Sequence, residues 1–371
     1  MTRYRAIAVL CLAAGIIVVA GIFFDARTTL AAYLIAWVAT ASIPIGALAL
    51  LQMTYLVHRA WTNDLHRILI AATETLPLCG LLALPILLGQ PELYPAAEGS
   101  VDLPAFKAAY LSPWFFATRT IVFFAIWYAL AFWAKAAWKN PDRMARAASV
   151  GLIVYALTAS LAGIDWLQSL NPEFHSSIYG LLFISFTWMS GLAFALGVGL
   201  SSHTWIPSAR GYGGLFLSMI LLWAYLHAMQ YIVIWSGNIP DEVTWYLARS
   251  TDGWQYVVML LASAQFVGPF LLLLSERARR DRKVLLGLCI ATLVLRVVEA
   301  LVLAAPGIHG LNGSLLPAVL IAVTILIATA WGTFFVRQFM PTNVTANGPN
   351  VPSEASGQAK LRETELSCRR Q

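Results

Sequence analysis

The length of the apolar runs constrains the fold of this chain more than any other feature of its sequence. A helix needs about 20 apolar residues to cross the roughly 30 Å of hydrocarbon in a bilayer. Ten runs of such length occupy residues 6–24, 30–57, 68–88, 113–134, 147–167, 177–199, 213–235, 254–274, 284–304 and 315–337. Hydrophobic residues make up 59% of the chain and charged residues only 11%, which is far from the composition of soluble domains. The sequence therefore predicts an all-α membrane protein with about ten transmembrane helices.

The first apolar run follows the basic segment MTRYR, as the apolar part of a signal peptide does. Its apolar stretch is longer than that of a usual signal peptide, however, and the following IFFDAR contains no A-x-A-like cleavage site. We therefore interpret residues 6–24 as a transmembrane helix.

The distribution of Lys and Arg predicts the orientation of the chain. With a cytoplasmic N-terminus, 19 of the 24 Lys and Arg residues lie in inside segments, including the run RARRDRK at 277–283. Only Arg27, Lys107 and Arg249 lie in outside segments. Because positive residues concentrate in cytoplasmic loops, both termini are predicted to be inside. The basic pI of about 9.2 reflects these loops, so we expect no nucleic-acid partner.

The polar segments divide the chain into a membrane domain and a tail. Two outside segments, 88–115 and 236–254, are rich in turn-forming and aromatic residues, and we expect them to form ordered caps on which a partner docks. Residues 341–371 are polar and poor in aromatic residues, which is typical of a disordered segment. We therefore predict a transmembrane domain at 1–340 and a disordered cytoplasmic tail at 341–371.

The cysteines and histidines indicate no bound metal or covalent cofactor. Cys11, Cys79, Cys289 and Cys368 are widely separated, with no C-x-x-C, C-x-x-C-H or Cys/His spacing. Paired haem b ligands are not favoured either, because only His227 lies well inside a span. Any redox centre is therefore expected to be diffusible, non-covalent or on a partner.

Ionisable side chains inside the predicted spans are candidate functional groups, because a charge in hydrocarbon is costly unless it is paired or hydrated. Glu74 lies on the inner side of the bilayer. The others share a similar depth in the outer half, and they are Arg119, Asp165, His227, Arg296 and Glu299. Their common depth predicts one shared polar cavity.

A purely structural role is the alternative interpretation for each of these groups. Arg296 and Glu299 are three residues apart, so they share a helix face and can form an ion pair. Asp165 can pair with Arg119 across two adjacent spans, and His227 can be a hydrogen-bonded core residue. Under this interpretation the chain is a scaffold subunit whose charges hold its helices together.

The chemistry of the predicted cavity suits a quinol headgroup. The hydroxyls of a quinol need a hydrogen-bonding base, and its ring needs an aromatic slot. His227 and Asp165 supply the first, while Trp166, Tyr179 and Tyr225 supply the second.

An ion-coupled transporter is a second functional hypothesis. Transporters bind their cargo beside broken helices near the bilayer midplane. Candidate breaks occur at Pro44 with Gly46, at Pro77, at Pro85 and at Gly268-Pro269.

Glu74 also has two interpretations. It is about two turns from a loop with His58, Asp64 and His66. Carboxylate and histidine chains pass protons in pumps, so this group predicts the entrance of an inner proton path. The alternative is an acid that simply reaches the membrane interface.

Three stretches of the sequence resemble a known family. They are IDWLQSLNPEFHSSIYGLLFISFTWMSGLAFAL, LLWAYLHAMQYIVIWSGNIPDEVTWYLARSTDGWQYV and PFLLLLSERARRDRK. In order and spacing they resemble the ActF-type subunit of alternative complex III, a ten-span relative of the NrfD and polysulfide-reductase membrane subunits. The specific match covers about residues 165–283, and the number of spans extends it to about residue 340.

The resemblance implies two four-helix bundles with flanking helices in a bacterial cytoplasmic (inner) membrane. The complex would be a respiratory quinol:electron-acceptor oxidoreductase that uses a quinone such as menaquinone. Implied partners are a second NrfD-like subunit and periplasmic iron-sulfur and cytochrome c subunits. The subunit itself would carry no prosthetic group and no metal.

The resemblance also gives a role to the polar corner that begins at Asp165. Its D-W-x-x-S-L-x-P pattern includes Trp166 and Pro172, and a second matching motif runs from Trp235 to Asn238. Together with Tyr179, these residues are expected to hold two spans together beside a periplasmic docking face. No catalytic residue is implied.

Overall fold

The structure of the chain is a computed structural model that describes residues 2–57, 60–99, 101, 103–138, 140–201 and 209–340. No side chain is described at residues 2–10, 60–64 and 209–210. The predicted tail at 341–371 lies outside the described residues.

Helices account for nearly all of the regular structure in these ranges, which contain no strand. The first nine helices are α1 (Thr2–Phe24), α2 (Ala26–Leu56), α3 (Ala60–Thr73), α4 (Leu76–Leu81), α5 (Leu84–Leu88), α6 (Gln90–Leu93), α7 (Pro95–Glu98), α8 (Ala105–Tyr110) and α9 (Pro113–Ala137). The others are α10 (Pro141–Trp166), α11 (Tyr179–Ser201), α12 (Ala209–Gly237), α13 (Pro240–Leu247), α14 (Trp254–Ala262), α15 (Gly268–Leu274), α16 (Glu276–Arg280), α17 (Arg282–Ala304) and α18 (Leu316–Phe339). The predicted all-α fold is confirmed.

Nine segments of the described chain are long and apolar enough to cross a membrane. They are Ala26–Leu56, Leu65–Leu88, Pro113–Ala137, Pro141–Leu170, Tyr179–Ser201, Gly211–Gly237, Trp254–Leu274, Arg282–Gly307 and Leu316–Phe339. Helix α1 coincides with the remaining predicted span. The part of α1 whose side chains are described, Cys11–Phe24, is apolar. The chain is therefore a multi-pass membrane protein. Below, the outer side is the side that the Lys and Arg distribution predicts to face away from the cytoplasm.

The spanning helices pack as two groups of four with two flanking helices. The first bundle consists of α2, the broken span α3–α5, α9 and α10. The second bundle consists of α11, α12, the span α14–α15 and α17. Helix α18 packs on both α1 and α2 at the periphery.

The two bundles meet where α2 crosses α11, and small residues allow the backbones to touch. A Cβ atom at Gly46 would collide with the Thr187 carbonyl, and one at Gly191 would lie 2.6 Å from the Ala47 nitrogen. Small residues permit such close packing in membranes, where the lipid supplies no hydrophobic driving force between helices. Helix α2 is consequently buried along almost all of its apolar length.

The span Leu65–Leu88 is broken twice, after Thr73 and after Leu81. A proline follows each break, at the second position of α4 and of α5, as Pro77 and Pro85 predicted. Of the other candidate breaks, Pro44 lies inside an unbroken helix, so that prediction is wrong. Gly268-Pro269 instead directly follows a π-helical segment, Ser263–Val267.

Helix α2 supplies hydrogen-bond donors to two carbonyl groups that lose their helical partners at the second break. The Ala83 and Ile86 amides bond to carbonyls three residues earlier, which leaves the Cys79 and Leu82 carbonyls without a helical partner. Trp37 Nε1 donates to the Cys79 oxygen at 2.9 Å, and the Tyr33 hydroxyl donates to the Leu82 oxygen at 2.9 Å. Hydrocarbon offers no hydrogen bonds, so these two side chains make the break tolerable.

Replacing Tyr33 with phenylalanine is expected to destabilise the protein by about 1 kcal/mol, because it leaves the partly buried Leu82 carbonyl without a donor. Denaturant unfolding in detergent measures the change. The matched control is Tyr128→Phe, since Tyr128 is 47% exposed on the surface of α9 and its loss should have almost no effect. Equal effects of the two substitutions would contradict the proposed capping role.

The outer side carries the expected ordered caps, built from α6 to α8 and from α13. Arg27, at the start of α2, binds the first cap through Glu98 at 2.8 Å and Glu92 at 3.5 Å. The second cap packs over α12, and its Trp245 is buried.

Candidate functional site

The corner that begins at Asp165 is held by an ion pair inside the first bundle. Arg119 of α9 donates from Nε to one carboxylate oxygen of Asp165 at 2.7 Å and from Nη2 to the other at 3.0 Å. Its third nitrogen donates to the Tyr110 carbonyl at 2.7 Å, and the guanidinium lies 3.8 Å from the Tyr110 ring centre. Asp165 is fully buried. The pair uses both oxygens of the acid, so its geometry is that of a structural clamp.

Trp166 anchors the same corner in the aromatic core. Its indole nitrogen donates to the Thr120 hydroxyl at 3.2 Å, and its carbonyl accepts from the Tyr94 hydroxyl at 3.1 Å. Trp37 meets its ring edge-to-face at 4.7 Å. The corner is thus tied to α2, α9 and the first cap.

Pro172 and the cap lysine form a second contact of the corner. Lys107 donates to the Pro172 carbonyl, and its Nζ lies 2.9 Å from His175 Nε2. Partial burial lowers the pKa of Lys107. Phe174 stacks on Trp245 of the second cap at 4.9 Å. The corner therefore joins both outer caps.

The second bundle contains a different polar group, here called the Glu299 site, formed by Trp223, His227, Arg296 and Glu299. Glu299 Oε1 accepts from Trp223 Nε1 at 2.8 Å and lies 3.1 Å from His227 Nε2. Glu299 Oε2 forms an ion pair with Arg296 one turn earlier on α17. The predicted pairing of Arg296 with Glu299 is therefore present, and α12 adds two more groups.

Burial differs sharply within the Glu299 site. The Arg296 and Glu299 side chains are each 1% exposed, whereas the His227 side chain is 31% exposed. Because an ionised carboxylate only accepts hydrogen bonds, the Nε2 of His227 is the donor in this contact. In a neutral ring that donates from Nε2, Nδ1 is the acceptor. The site thus combines a partly exposed histidine with a buried acid and a buried cation.

The shared cavity predicted from the five charges is not what the structure contains. Asp165 has its partners in the first bundle, and His227 has its partners in the second. Their similar depth is therefore a property of two separate sites. Residues at equal depth can still point in different directions, because each helix can have a different rotation about its own axis. This rotation decides which side chains each charged residue meets.

Glu74 lies at the first break of the span Leu65–Leu88 and forms an ion pair with Lys135 near the inner end of α9. The two side chains are 25% and 57% exposed. His66 has other partners, since it stacks on Trp138 at 3.3 Å and its ring lies 3.1 Å from the Tyr55 hydroxyl. Of the other residues predicted to lie near Glu74, His58 and the side chain of Asp64 are outside the described residues.

Trp235 and Asn238 belong to the end of α12. Trp235 is half exposed and stacks on Tyr231 at 5.7 Å. Asn238 has a φ of 47°, the left-handed conformation in which asparagine commonly ends a helix. This motif therefore shapes the turn into α13 and makes no contact with the Glu299 site through a described hydrogen bond.

Sequence reasoning missed Arg249, which it counted as an outside loop charge. Arg249 is 5% exposed, and it donates to the Val302 and Leu303 carbonyls at 2.9 Å each. Its guanidinium lies 3.4 Å from the Trp245 ring centre, and burial lowers its pKa to about 9. Arg249 thereby caps the end of α17, four residues beyond Glu299. A lone arginine in a polar loop gives no local signal of this role.

An open cleft lies on the outer side between the caps and the corner. Its volume is about 370 Å³, and it is lined by residues of all these segments. Its charged members are Arg27, Glu92, Glu98, Glu173 and Asp241. Among the described residues there is no group of three or more His, Cys, Asp or Glu that could hold a metal ion.

No protein-family model matches the chain, and no curated protein matches it with significant similarity. The resemblance to ActF-type subunits therefore rests on the motifs between residues 165 and 283 alone.

Proposed function

We propose that this chain is an ActF-type integral subunit of a bacterial quinol:electron-acceptor oxidoreductase of the alternative complex III type, in the inner membrane. The packing of two four-helix bundles with flanking helices supports this proposal. The corner residues support it as well, because Asp165, Trp166 and Pro172 all make structural contacts on the outer side.

The observation that carries the proposal is the partly exposed His227 ring backed by Glu299 and Arg296. A quinol hydroxyl needs a base, and the free Nδ1 of His227 is one. The imidazolium formed on proton uptake would be stabilised by the adjacent Glu299 carboxylate, which also fixes the tautomer. Trp223 lies 4.5 Å from the imidazole ring and supplies an aromatic wall.

The redox step would require partners. A quinol that becomes a quinone releases two protons and two electrons, and this chain is proposed to handle protons only. The electrons would pass to iron-sulfur and cytochrome c subunits on the outer side, next to a second NrfD-like subunit. The cleft between the two caps is the proposed place of contact with such subunits.

Glu74 has a separate role in this proposal, as the entrance of an inner proton path. Its ion pair with Lys135 is partly exposed at the inner side, which supports access from the cytoplasm. Glu74 itself lies in the first helix break, which places irregular backbone next to the acid.

Affinity purification of the tagged protein from its own membranes in mild detergent tests the proposal. Mass spectrometry and a visible spectrum of the eluate are the readouts. We expect large iron-sulfur and cytochrome c subunits, together with c-type haem absorbance. A stable, colourless protein that purifies alone would overturn the proposal.

The twice-broken span Leu65–Leu88, with Glu74 at its first break, favours an ion-coupled transporter as the second candidate. Ion-dependent uptake by the protein reconstituted alone in vesicles would support it. A scaffold subunit without a proton role is the third candidate, and the His227 variant described in the Discussion distinguishes it.

A further inference from the structure

The outer half of the second bundle contains an unusual concentration of buried polar atoms without partners. Among the described residues, 14 buried side-chain nitrogen and oxygen atoms lack a hydrogen-bond partner. Six of them belong to Tyr179, Gln230, Arg296 and Glu299, which are only 1–2% exposed. Two of the six, Glu299 Oε2 and Arg296 Nη1, form an ion pair with each other. The Tyr179 hydroxyl, the Gln230 carbonyl oxygen and the Nε and Nη2 atoms of Arg296 are left without a partner.

These residues come from three helices of the second bundle. Arg296 and Glu299 are in direct contact on α17, although the contact is not aligned as a hydrogen bond. Tyr179, at the start of α11, interacts electrostatically with Glu299 and with Arg249. Gln230, on α12, faces the Tyr246 hydroxyl of the second cap. Tyr179 also interacts electrostatically with Tyr246, so Tyr246 links Gln230 with Tyr179, and Tyr179 in turn links them with Glu299. The unpartnered atoms therefore belong to one electrostatically linked group below the cap.

A dry region with this lining would be costly. Each unpartnered buried polar group costs about 1–3 kcal/mol, and a charged group costs more. Arginine remains protonated in proteins, so Arg296 has no neutral form that would relieve the cost. Elsewhere in the described chain such atoms occur in smaller groups, for example on Gln52 or on Trp188.

We propose that ordered water molecules fill the space between Tyr179, Gln230, Arg296 and Glu299. A buried water binds about three polar partners, and this lining offers donors on Arg296 and Tyr179 and acceptors on Gln230 and Glu299. Water bound there supplies hydrogen-bond partners to the unpartnered atoms of Tyr179, Gln230 and Arg296. We call this region the hydrated chamber.

The hydrated chamber receives its water from the outer side. Directly above it, Trp245 and Arg249 form a stacked pair. Trp245 also lines the outer cleft, together with Asp241 and Thr244 of the same cap helix. Trp245 thus contacts both the outer cleft and Arg249, which interacts electrostatically with Tyr179 of the chamber. If the chain handles quinol protons as proposed above, this water carries protons from His227 and Glu299 outward; the hydration itself does not depend on that function.

Cysteine accessibility in intact membranes tests the hydrated chamber. Gln230→Cys and the control Ile234→Cys are made in a variant whose native cysteines are replaced. Both positions are 2% exposed on the same face of α12, and Ile234 lies closer to the outer surface. Silver ions, which are small and do not enter hydrocarbon, are added from the outer side. Thiols that stay free are then labelled with a maleimide after denaturation.

We expect silver to react with Cys at position 230 at least tenfold faster than with Cys at position 234, measured as the rate at which each thiol becomes protected from the maleimide. Equal and slow protection of both positions would overturn the proposal. If Gln230→Cys does not accumulate, Tyr179→Cys takes its place with the same expectation. As a second measurement, a cryo-electron microscopy map that resolves water should contain density within hydrogen-bond distance of the Arg296 guanidinium, and its absence would also overturn the proposal.

These readouts need neither turnover nor a redox partner. A protein that purifies without partners, yet reacts at position 230, would refute the proposed function and leave the hydrated chamber intact. A functional complex with an unreactive position 230 and no water density would support the proposed function and refute the hydrated chamber.

Discussion

Replacing Asp165 with alanine is expected to lower the free energy of unfolding by about 3–5 kcal/mol, the cost of breaking a buried ion pair by removing one partner. The substitution leaves the Arg119 guanidinium, whose side chain is 11% exposed, without its counter-charge inside the first bundle. It also releases the corner that joins α9, α10 and both caps. Denaturant unfolding in detergent and the amount of protein in the membrane measure the effect.

The double variant Arg119→Met with Asp165→Leu is the matched control for this prediction. Replacing both partners with apolar residues of similar size removes the charges together, and such exchanges are often neutral or stabilising. We therefore expect the double variant to regain most of the lost stability. A double variant that is as unstable as Asp165→Ala would show that the pair itself is not the source of the effect.

Replacing His227 with glutamine is expected to lower quinol oxidation per assembled complex by about 10²–10⁴-fold, the usual contribution of a general base. The glutamine amide can still donate to Glu299, so the buried pair with Arg296 is retained while the proton acceptor is lost. The side chain is 31% exposed and the glutamine keeps the donor to Glu299, so we expect assembly to be retained. The measurement is the oxidation rate divided by the haem c content of the purified complex.

The same substitution at His175 provides the control, because His175 is exposed at the outer corner and contacts Lys107. We expect His175→Gln to leave the rate per complex unchanged. The scaffold hypothesis predicts a different result for His227→Gln, namely less assembled complex with an unchanged rate per complex. That outcome would remove His227 from the proton path.

The membrane-spanning segments were predictable from the sequence because apolar length is a local property. All nine described spans coincide with predicted runs, and α1 coincides with the tenth. The helix breaks were partly predictable for the same reason. Pro77 and Pro85 follow breaks, but Pro44 does not, because α2 continues through it in the close-packed centre of the protein.

The candidate site was predictable in its members more than in its arrangement. The spacing of Arg296 and Glu299 predicted their ion pair, since three residues on a helix are one turn. The contact of Glu299 with His227 and Trp223 was not predictable, because it depends on the rotation of α12 against α17. Arg249 escaped prediction because its burial arises only when the second cap folds over the end of α17.

The sequence by itself determined that this chain crosses a membrane many times, which residues carry charge inside it, and which side each charged residue is expected to approach. These properties follow from the length of apolar runs and the cost of charge in hydrocarbon, and neither depends on distant contacts. Only the tertiary structure decided that Asp165 pairs with Arg119 instead of sharing a cavity with His227, and that Glu299 contacts His227 and Trp223 in addition to Arg296. The physical reason is that a partner is chosen by helix rotation and packing, which side chains from the whole bundle set together.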